Sequence, residues 1–280
     1  MAARALRLVA AVAAALAVLA ALALVLLWLA QRRLLYFPDR ADRRSAEERA
    51  RRLGLEPWVD GGELLGWRSR LPGGAARGRL VVLHGNAGSA LDRSYFAAAF
   101  RLADPARPLE VYLVEYPGYG SRAGAPSEDA LVAAARRAIA LARADGDGPL
   151  LLAGESLGGA VAALAAAADP AQVDGLLLVT PLASVPAVAR RHYFPLPEAF
   201  YRDAYRADLA LPRYAGAVAF LLAGRDEVVF PDLCRALHDR APGPKRIWED
   251  PLAGHNTLSW DPSLQRWREM VEFLARPGGR

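Results

Sequence analysis

The sequence predicts an α/β fold, a mostly parallel sheet covered by helices on both faces, with a small insertion over residues 181–214 and one membrane-spanning helix ahead of it. Three observations predict it. From residue 80 onward, short apolar runs of strand character alternate with longer runs of helical periodicity, the pattern of successive β-helix-β crossovers. Near the N-terminus, Leu8 to Ala30 forms an uncharged run of 23 residues. Between Leu150 and Ala168 an apolar strand stops at Gly154, sets Ser156 between glycines and resumes as an alanine-rich helix.

A chain of 280 residues that is 54% hydrophobic has enough apolar surface for one large core, and its 23% charged residues argue against disorder. Taken in order, the first element is the apolar run, which as a helix spans about 34 Å against a hydrocarbon core of about 30 Å. Arg4 and Arg7 precede it, and Arg32 and Arg33 close it. Trp28, Tyr36 and Phe37 flank its exit, where interfacial aromatics collect. Residues 1–33 therefore read as a single-pass anchor. A cleaved signal peptide is the alternative, disfavoured because such apolar cores run about 7 to 15 residues and no small-x-small site follows. Gln31 to Arg52 carries eight Arg against four acids, which leans the orientation toward a cytoplasmic domain after the helix.

The basic connector, residues 34–54, and the arginines at both ends of the apolar run together explain the net charge of +5. Residues 1–52 hold +6 and the remainder −1, so the expected electrostatic partner is membrane lipid at the helix and its flank. A near-neutral domain has no excess positive charge for a phosphate backbone, which excludes a nucleic-acid partner. Cys234, the one cysteine, reads as a small buried hydrophobe. No histidine and carboxylate cluster has metal-ligand spacing, and the glycines at 118, 120 and 124 miss the dinucleotide pattern, so neither metal nor cofactor is expected.

The catalytic domain is expected over 55–276. Two strands surround the Asp60-Gly61-Gly62 turn, and a glycine-rich loop follows from Leu71 to Gly78. Strands then read at Leu80 to His84, Val111 to Glu115, Leu150 to Gly154, Leu176 to Thr180, Val218 to Gly224 and Arg246 to Glu249. Helices read at Leu91 to Leu102, Glu128 to Ala144, Leu157 to Ala168, Asp232 to Asp239 and Leu264 to Leu274. The irregular insertion, with Tyr193, Phe194, Phe200, Tyr201 and Tyr205, suits a small cap over a pocket.

Ligands meet a parallel sheet at the carboxyl ends of its strands, and Gly154-Glu155-Ser156-Leu157-Gly158 falls at such an end. A sharp strand-to-helix turn with small neighbours lifts a serine hydroxyl clear of the backbone. That hydroxyl needs a base, and the base an orienting carboxylate. His255, on the loop before the closing helix, is the expected base; His84, His192 and His238 fit less well by position. Asp226 is the expected acid, preferred over its neighbour Glu227 because it lies nearer the strand end. The oxyanion of a tetrahedral intermediate needs N–H donors, expected from Leu157 and from Asn86, with Ala87 the near alternative to Asn86.

The segments VVLHGNAGS, VEYPGYGSRAGAPSE, LLAGESLGGAVA, LLAGRDEVV and AGHN, in that order, resemble the α/β-hydrolase superfamily. With an anchor followed by a YFP segment, the chain most resembles its branch of membrane-anchored serine hydrolases, whose relatives include protein depalmitoylases and lipid hydrolases. The resemblance covers roughly residues 34–274. It implies a triad of Ser156, Asp226 and His255 and an oxyanion role for the loop after His84. Phe230 departs from it, standing where relatives often carry proline. The expected activity is cleavage of a carboxylic ester or thioester, with a lipid or lipidated protein as the candidate substrate. A serine peptidase on the same triad and a non-catalytic membrane scaffold are the alternatives.

Overall fold

Along one central strand, Leu150 and Leu152 belong to one hydrophobic core while Leu151 and Ala153 belong to another. Because successive side chains of a strand point to opposite faces, a strand apolar at every position needs cover on both sides. The central strands of the sheet have that cover, and its two edges do not. The computed structural model describes residues 2–69, 71, 76–105, 108–193 and 195–275. Phe194, residues 72–75 of the Leu71 to Gly78 loop and residue 276, the last of the expected domain, lie outside them.

Helix α1 (Ala2–Leu35) leads into strand β1 (Phe37–Pro38), helix α2 (Arg43–Arg52) and the hairpin β2 (Glu56–Asp60) and β3 (Glu63–Ser69). Next come β4 (Gly78–Leu83), β5 (Ala87–Gly88), α3 (Ser94–Ala103), β6 (Leu109–Val114), α4 (Glu128–Ala144), β7 (Leu150–Glu155) and α5 (Leu157–Ala168). The chain continues through β8 (Gly175–Val179), α6 (Val185–His192), α7 (Ala207–Ala210), β9 (Ala217–Ala223), α8 (Pro231–Asp239), β10 (Lys245–Asp250) and α9 (Gln265–Leu274).

The main sheet has the order β10-β9-β8-β7-β4-β6-β3-β2, parallel from β10 to β6 and antiparallel for the β3 and β2 edge. From β4 the chain steps outward to β6 and then returns across β4 to β7. This reversal leaves a crevice at the carboxyl ends of β4 and β7, paired to the register Leu83 opposite Gly154, the place where open parallel sheets hold ligands.

Helices α4, α5 and α8 contribute Leu131, Val161 and Leu237 to one core, and α3 and α9 contribute Phe96, Phe100, Trp267 and Met270 to the other. Helix α4 starts where the Ser127 hydroxyl accepts the Ala130 N–H, with Glu128 and Asp129 favouring its positive end. Helix α5 is apolar nearly all round because it is buried nearly all round.

Helix α1 is long and apolar enough to cross a membrane and buries none of its residues against the domain. Its last turn is nonetheless docked. Arg32 makes a two-pronged ion pair with Asp203, at 2.8 and 3.1 Å, and the Gln31 amide spans the Phe200 carbonyl and the Arg202 N–H.

The 181–214 insertion differs from the irregular segment expected. It contains α6 and α7, and its second half joins the core, with Tyr205, Leu211 and Tyr214 fully buried. Proline-rich spacing hid the short helices, and the burial follows from α5, whose apolar outer face this segment covers. Leu152, with no exposed surface in the middle of β7, should illustrate the cost of a defect here: Leu152→Ala is expected to lose about 2–5 kcal/mol of unfolding free energy by chemical denaturation.

Candidate active site

At the carboxyl end of β7 the backbone turns into α5 with almost no room. A Cβ on Gly154 would collide with the Gly158 carbonyl, and one on Gly158 with the carbonyl oxygens of Leu83 and His84. Only glycine permits this approach. Between them Ser156 takes φ +55°, a conformation that costs a non-glycine residue about 1–3 kcal/mol and persists only where its surroundings enforce it. The Ser156 N–H donates to the Val179 carbonyl at 2.9 Å, and the Ser156 carbonyl accepts the N–H groups of Gly159 and Leu182, both at 3.0 Å. The side chain is thereby aimed out of the crevice.

The structure brings Ser156, His255 and Asp226 together. Ser156 Oγ lies 3.1 Å from His255 Nε2, and His255 Nδ1 lies 2.6 Å from Asp226 Oδ2. Asp226 is buried at the end of β9, its other oxygen accepting the N–H groups of Val228 and Val229, both at 2.8 Å. An ionised carboxylate has nothing to donate, so Nδ1 carries the imidazole proton and Nε2 faces the hydroxyl as an acceptor. Glu227 points to solvent. Of the other histidines, His84 is buried beneath the loop after β4, His192 bonds the Val228 carbonyl, and His238 sits beside Asp239.

The loop after β4 passes directly over the serine: a Cβ on Gly85 would lie 3.6 Å from Ser156 Cβ. Among the described residues, neither the Asn86 N–H nor the Leu157 N–H has a hydrogen-bond acceptor, whereas the Asn86 carbonyl and side-chain NH2 are both engaged. Its carbonyl accepts the Phe37 N–H at 2.8 Å and the Tyr119 hydroxyl at 2.7 Å, and its side-chain amide donates to the Leu35 carbonyl at 2.8 Å. Beneath the loop, His84 Nδ1 donates to the Gly85 carbonyl at 2.8 Å and its Nε2 lies 3.6 Å from Glu115 Oε1. Burial, helped by the Arg93 charge, drops the His84 pKa to about 3 and keeps the ring neutral. Burial also pushes Glu115 up to about 7, against the opposing pull of its bonds from the Ala90 N–H and the Trp67 indole.

A cleft of about 230 Å³ opens beside His255. Its wall includes Glu155, which accepts Tyr95 Oη at 2.5 Å and Arg93 Nε at 3.3 Å. Larger surface clefts, of about 540 and 570 Å³, lie along α3 and are lined by none of Ser156, His255 and Asp226. Sequence reasoning missed the Arg93, Tyr95 and Glu155 group, since nothing in their spacing links residues more than sixty positions apart. It also missed the contact of Leu35 and Phe37 with Asn86; the YFP segment was the available signal. Among the described residues, no group of His, Cys, Asp and Glu could hold a metal ion.

The sequence model of the alpha/beta hydrolase family matches residues 80–278. The chain belongs to that family. This hydrolase is 34% identical over 260 residues to an uncharacterized protein of Mycobacterium tuberculosis, covering 90% of this chain and 89% of the relative. It is 31% identical over 181 residues to an uncharacterized membrane protein of Saccharomyces cerevisiae, covering 61% and 62% of the two chains. Among solved structures it is similar to a Pyrococcus furiosus esterase, with a TM-score of 0.61 at 14% identity over 86% of this chain and 99% of that one.

Two outcomes are expected of the hydrolase's packing. Gly158→Ala should destabilise the fold and abolish any reaction at Ser156, because the new methyl group meets backbone rather than movable side chains. Glu115 holds a proton in the folded state up to about pH 7 that the unfolded chain releases near 4.5, so its contribution to stability declines as pH rises between those values. Melting temperatures of Glu115→Gln relative to wild type should therefore shift in the variant's favour from pH 4.5 to 7.

Proposed function

We propose that this chain is a membrane-anchored serine hydrolase that cleaves carboxylic esters or thioesters through an acyl-enzyme. The observation that carries the reading is the continuous chain of contacts from Asp226 through His255 to Ser156, beneath two unused backbone N–H groups. Ser156 Oγ attacks the acyl carbonyl while His255 Nε2 takes its proton, and Asp226 stabilises the imidazolium that forms. The Asn86 and Leu157 amides bind the oxyanion. His255 then returns the proton to the departing alcohol or thiol, and water repeats the sequence to release the acid. Every step uses groups of the chain itself and no cofactor. Family membership supports hydrolysis, and the name of the similar Pyrococcus esterase supports an ester as substrate.

Helix α1 supports the membrane as the place of action, as does the name of the yeast relative. On this reading the site also sits close to lipid. Asn86 bonds the carbonyl of Leu35, five residues past Ala30, or about 8 Å along a helix. The headgroup layer on each side of a bilayer is itself about 5–8 Å deep. A reacting carbonyl held by Asn86 would thus lie near the lipid surface, which favours lipids or lipidated proteins over soluble esters. The basic flank, residues 31–52, favours anionic lipid beside it and leans the domain toward the cytoplasmic side.

The test is labelling of the full chain in detergent with a fluorophosphonate probe, alongside hydrolysis of a p-nitrophenyl ester. Ser156→Ala should lose the label entirely and at least about 10⁴-fold in kcat, and Asp226→Asn about 10³–10⁴-fold. A folded wild-type chain that neither labels nor turns over would overturn the proposal. Across acyl chains of two to sixteen carbons, kcat/KM should rise with length; a maximum at two to four carbons would overturn the lipid substrate while leaving the hydrolase intact.

A further inference from the structure

The loop that carries the Asn86 amide has no helix or main-sheet ladder to hold it in place. Its backbone is instead laddered to the chain that leaves α1. Strand β1 pairs in parallel with β5, Phe37 opposite Ala87 and Pro38 opposite Gly88. The Phe37 N–H donates to the Asn86 carbonyl and the Asp39 N–H to the Gly88 carbonyl, at 2.8 and 2.9 Å. From the other side the Asn86 carboxamide reaches the Leu35 carbonyl, a terminal carbonyl of α1 that no further helical turn can satisfy. Phe37 itself is exposed, so its contribution here is its backbone.

The exit is held in turn by the body of the protein. Tyr36 is buried and its hydroxyl lies 2.7 Å from that of Tyr205, while Asp203, which receives Arg32, also accepts the Glu128 N–H that opens α4. Gly120, on the turn whose Tyr119 hydroxyl meets Asn86, donates its N–H to Asp39 and accepts that of Ala41. The segment is therefore rigid on both sides of the point where it grips the loop.

We propose that residues 35–39, the exit of the membrane anchor, form a positioning element of the active site, and that the Asn86 carboxamide is a positioning group locking the Asn86 N–H toward the reacting carbonyl. The anchor is then part of the catalytic apparatus as well as its tether. This rests on the reading of the Asn86 N–H as an oxyanion donor. An oxyanion donor acts by being fixed before charge develops, and a displacement of about 1 Å costs on the order of 100-fold in rate.

The experiment uses the full chain in detergent with soluble p-nitrophenyl acetate, so that access to lipid plays no part. Asn86→Ala keeps the backbone N–H and removes the bond to Leu35. Phe37→Pro removes the N–H that reaches the Asn86 carbonyl. Each is expected to lower kcat about 10- to 100-fold with KM within about twofold of wild type and an unchanged shape of the kcat against pH profile, because the triad is untouched. The double variant should lose little more than the worse single one, since both release the same loop. Either variant keeping kcat within about threefold of wild type, in a chain that Ser156→Ala inactivates, overturns the inference and leaves the serine hydrolase standing. A loss borne by KM, or a double variant whose losses multiply, also overturns it. Turnover that survives Ser156→Ala would instead overturn the hydrolase reading itself. If Phe37→Pro lowers the melting temperature by more than about 5 °C, Asn86→Ala decides alone.

Discussion

The left-handed backbone at Ser156 is the constraint on which the rest of the site depends. A strand that continued straight would bury the side chain in the sheet, and a helix that began one residue later would turn it toward the core. The corner exists because Gly154 and Gly158 let α5 press against the ends of β7 and β4, and because Ser156 gives up its own N–H and carbonyl to neighbouring backbone. The strain is thus carried by the packing of three strands, β4, β7 and β8, and one helix. A tightly packed interior transmits such constraints with little compliance, so the serine inherits the rigidity of the core beneath it.

The groups facing the serine depend on the same sheet by different routes. Asp226 and His255 sit on loops that follow β9 and β10, and two backbone N–H groups fix the carboxylate that fixes the ring. The loop after β4 is supported from below by neutral His84, which bonds the Gly85 carbonyl, and by Glu115, which takes the Ala90 N–H. Burying two titratable groups side by side is tolerable because burial drives each toward its neutral form, so little charge has to be desolvated. Above that layer lies the exit of α1, whose backbone pairs with the loop through β1 and β5 and supplies a ladder the main sheet does not give it.

How much was legible beforehand differs by element. Helix α4 over 128–144 and helix α5 over 157–168 coincide with their sequence readings, since Ser127 caps the start of one and the other is an alanine-rich run bounded by the Ser156 corner and Asp169-Pro170. The central strands agree to within one or two residues, as expected for elements whose ends are set by ladder partners elsewhere in the chain. The insertion was misread as wholly irregular, and the two-residue strands β1 and β5 have no periodicity to detect. Ser156, His255 and Asp226, which the structure brings within contact, could be picked out as candidates because each stands at a strand end or a loop, in an order that restricts the choice among four histidines. Glu155 was not, because its partners Arg93 and Tyr95 lie on another element.

The sequence by itself determined the alternation of strand and helix, the corner that displays a serine, the apolar run ahead of the domain and the short list of histidines and carboxylates at strand ends. These are local matters, written in period, in glycine placement and in charge. Only the tertiary structure decided which carboxylate meets His255, which amides are left unpaired above Ser156, and that the exit of α1 pairs with a loop fifty residues further on. Those outcomes depend on distances across the sheet, and a distance between remote residues is fixed by packing and hydrogen bonding among many elements at once, for which one stretch of chain carries no signal.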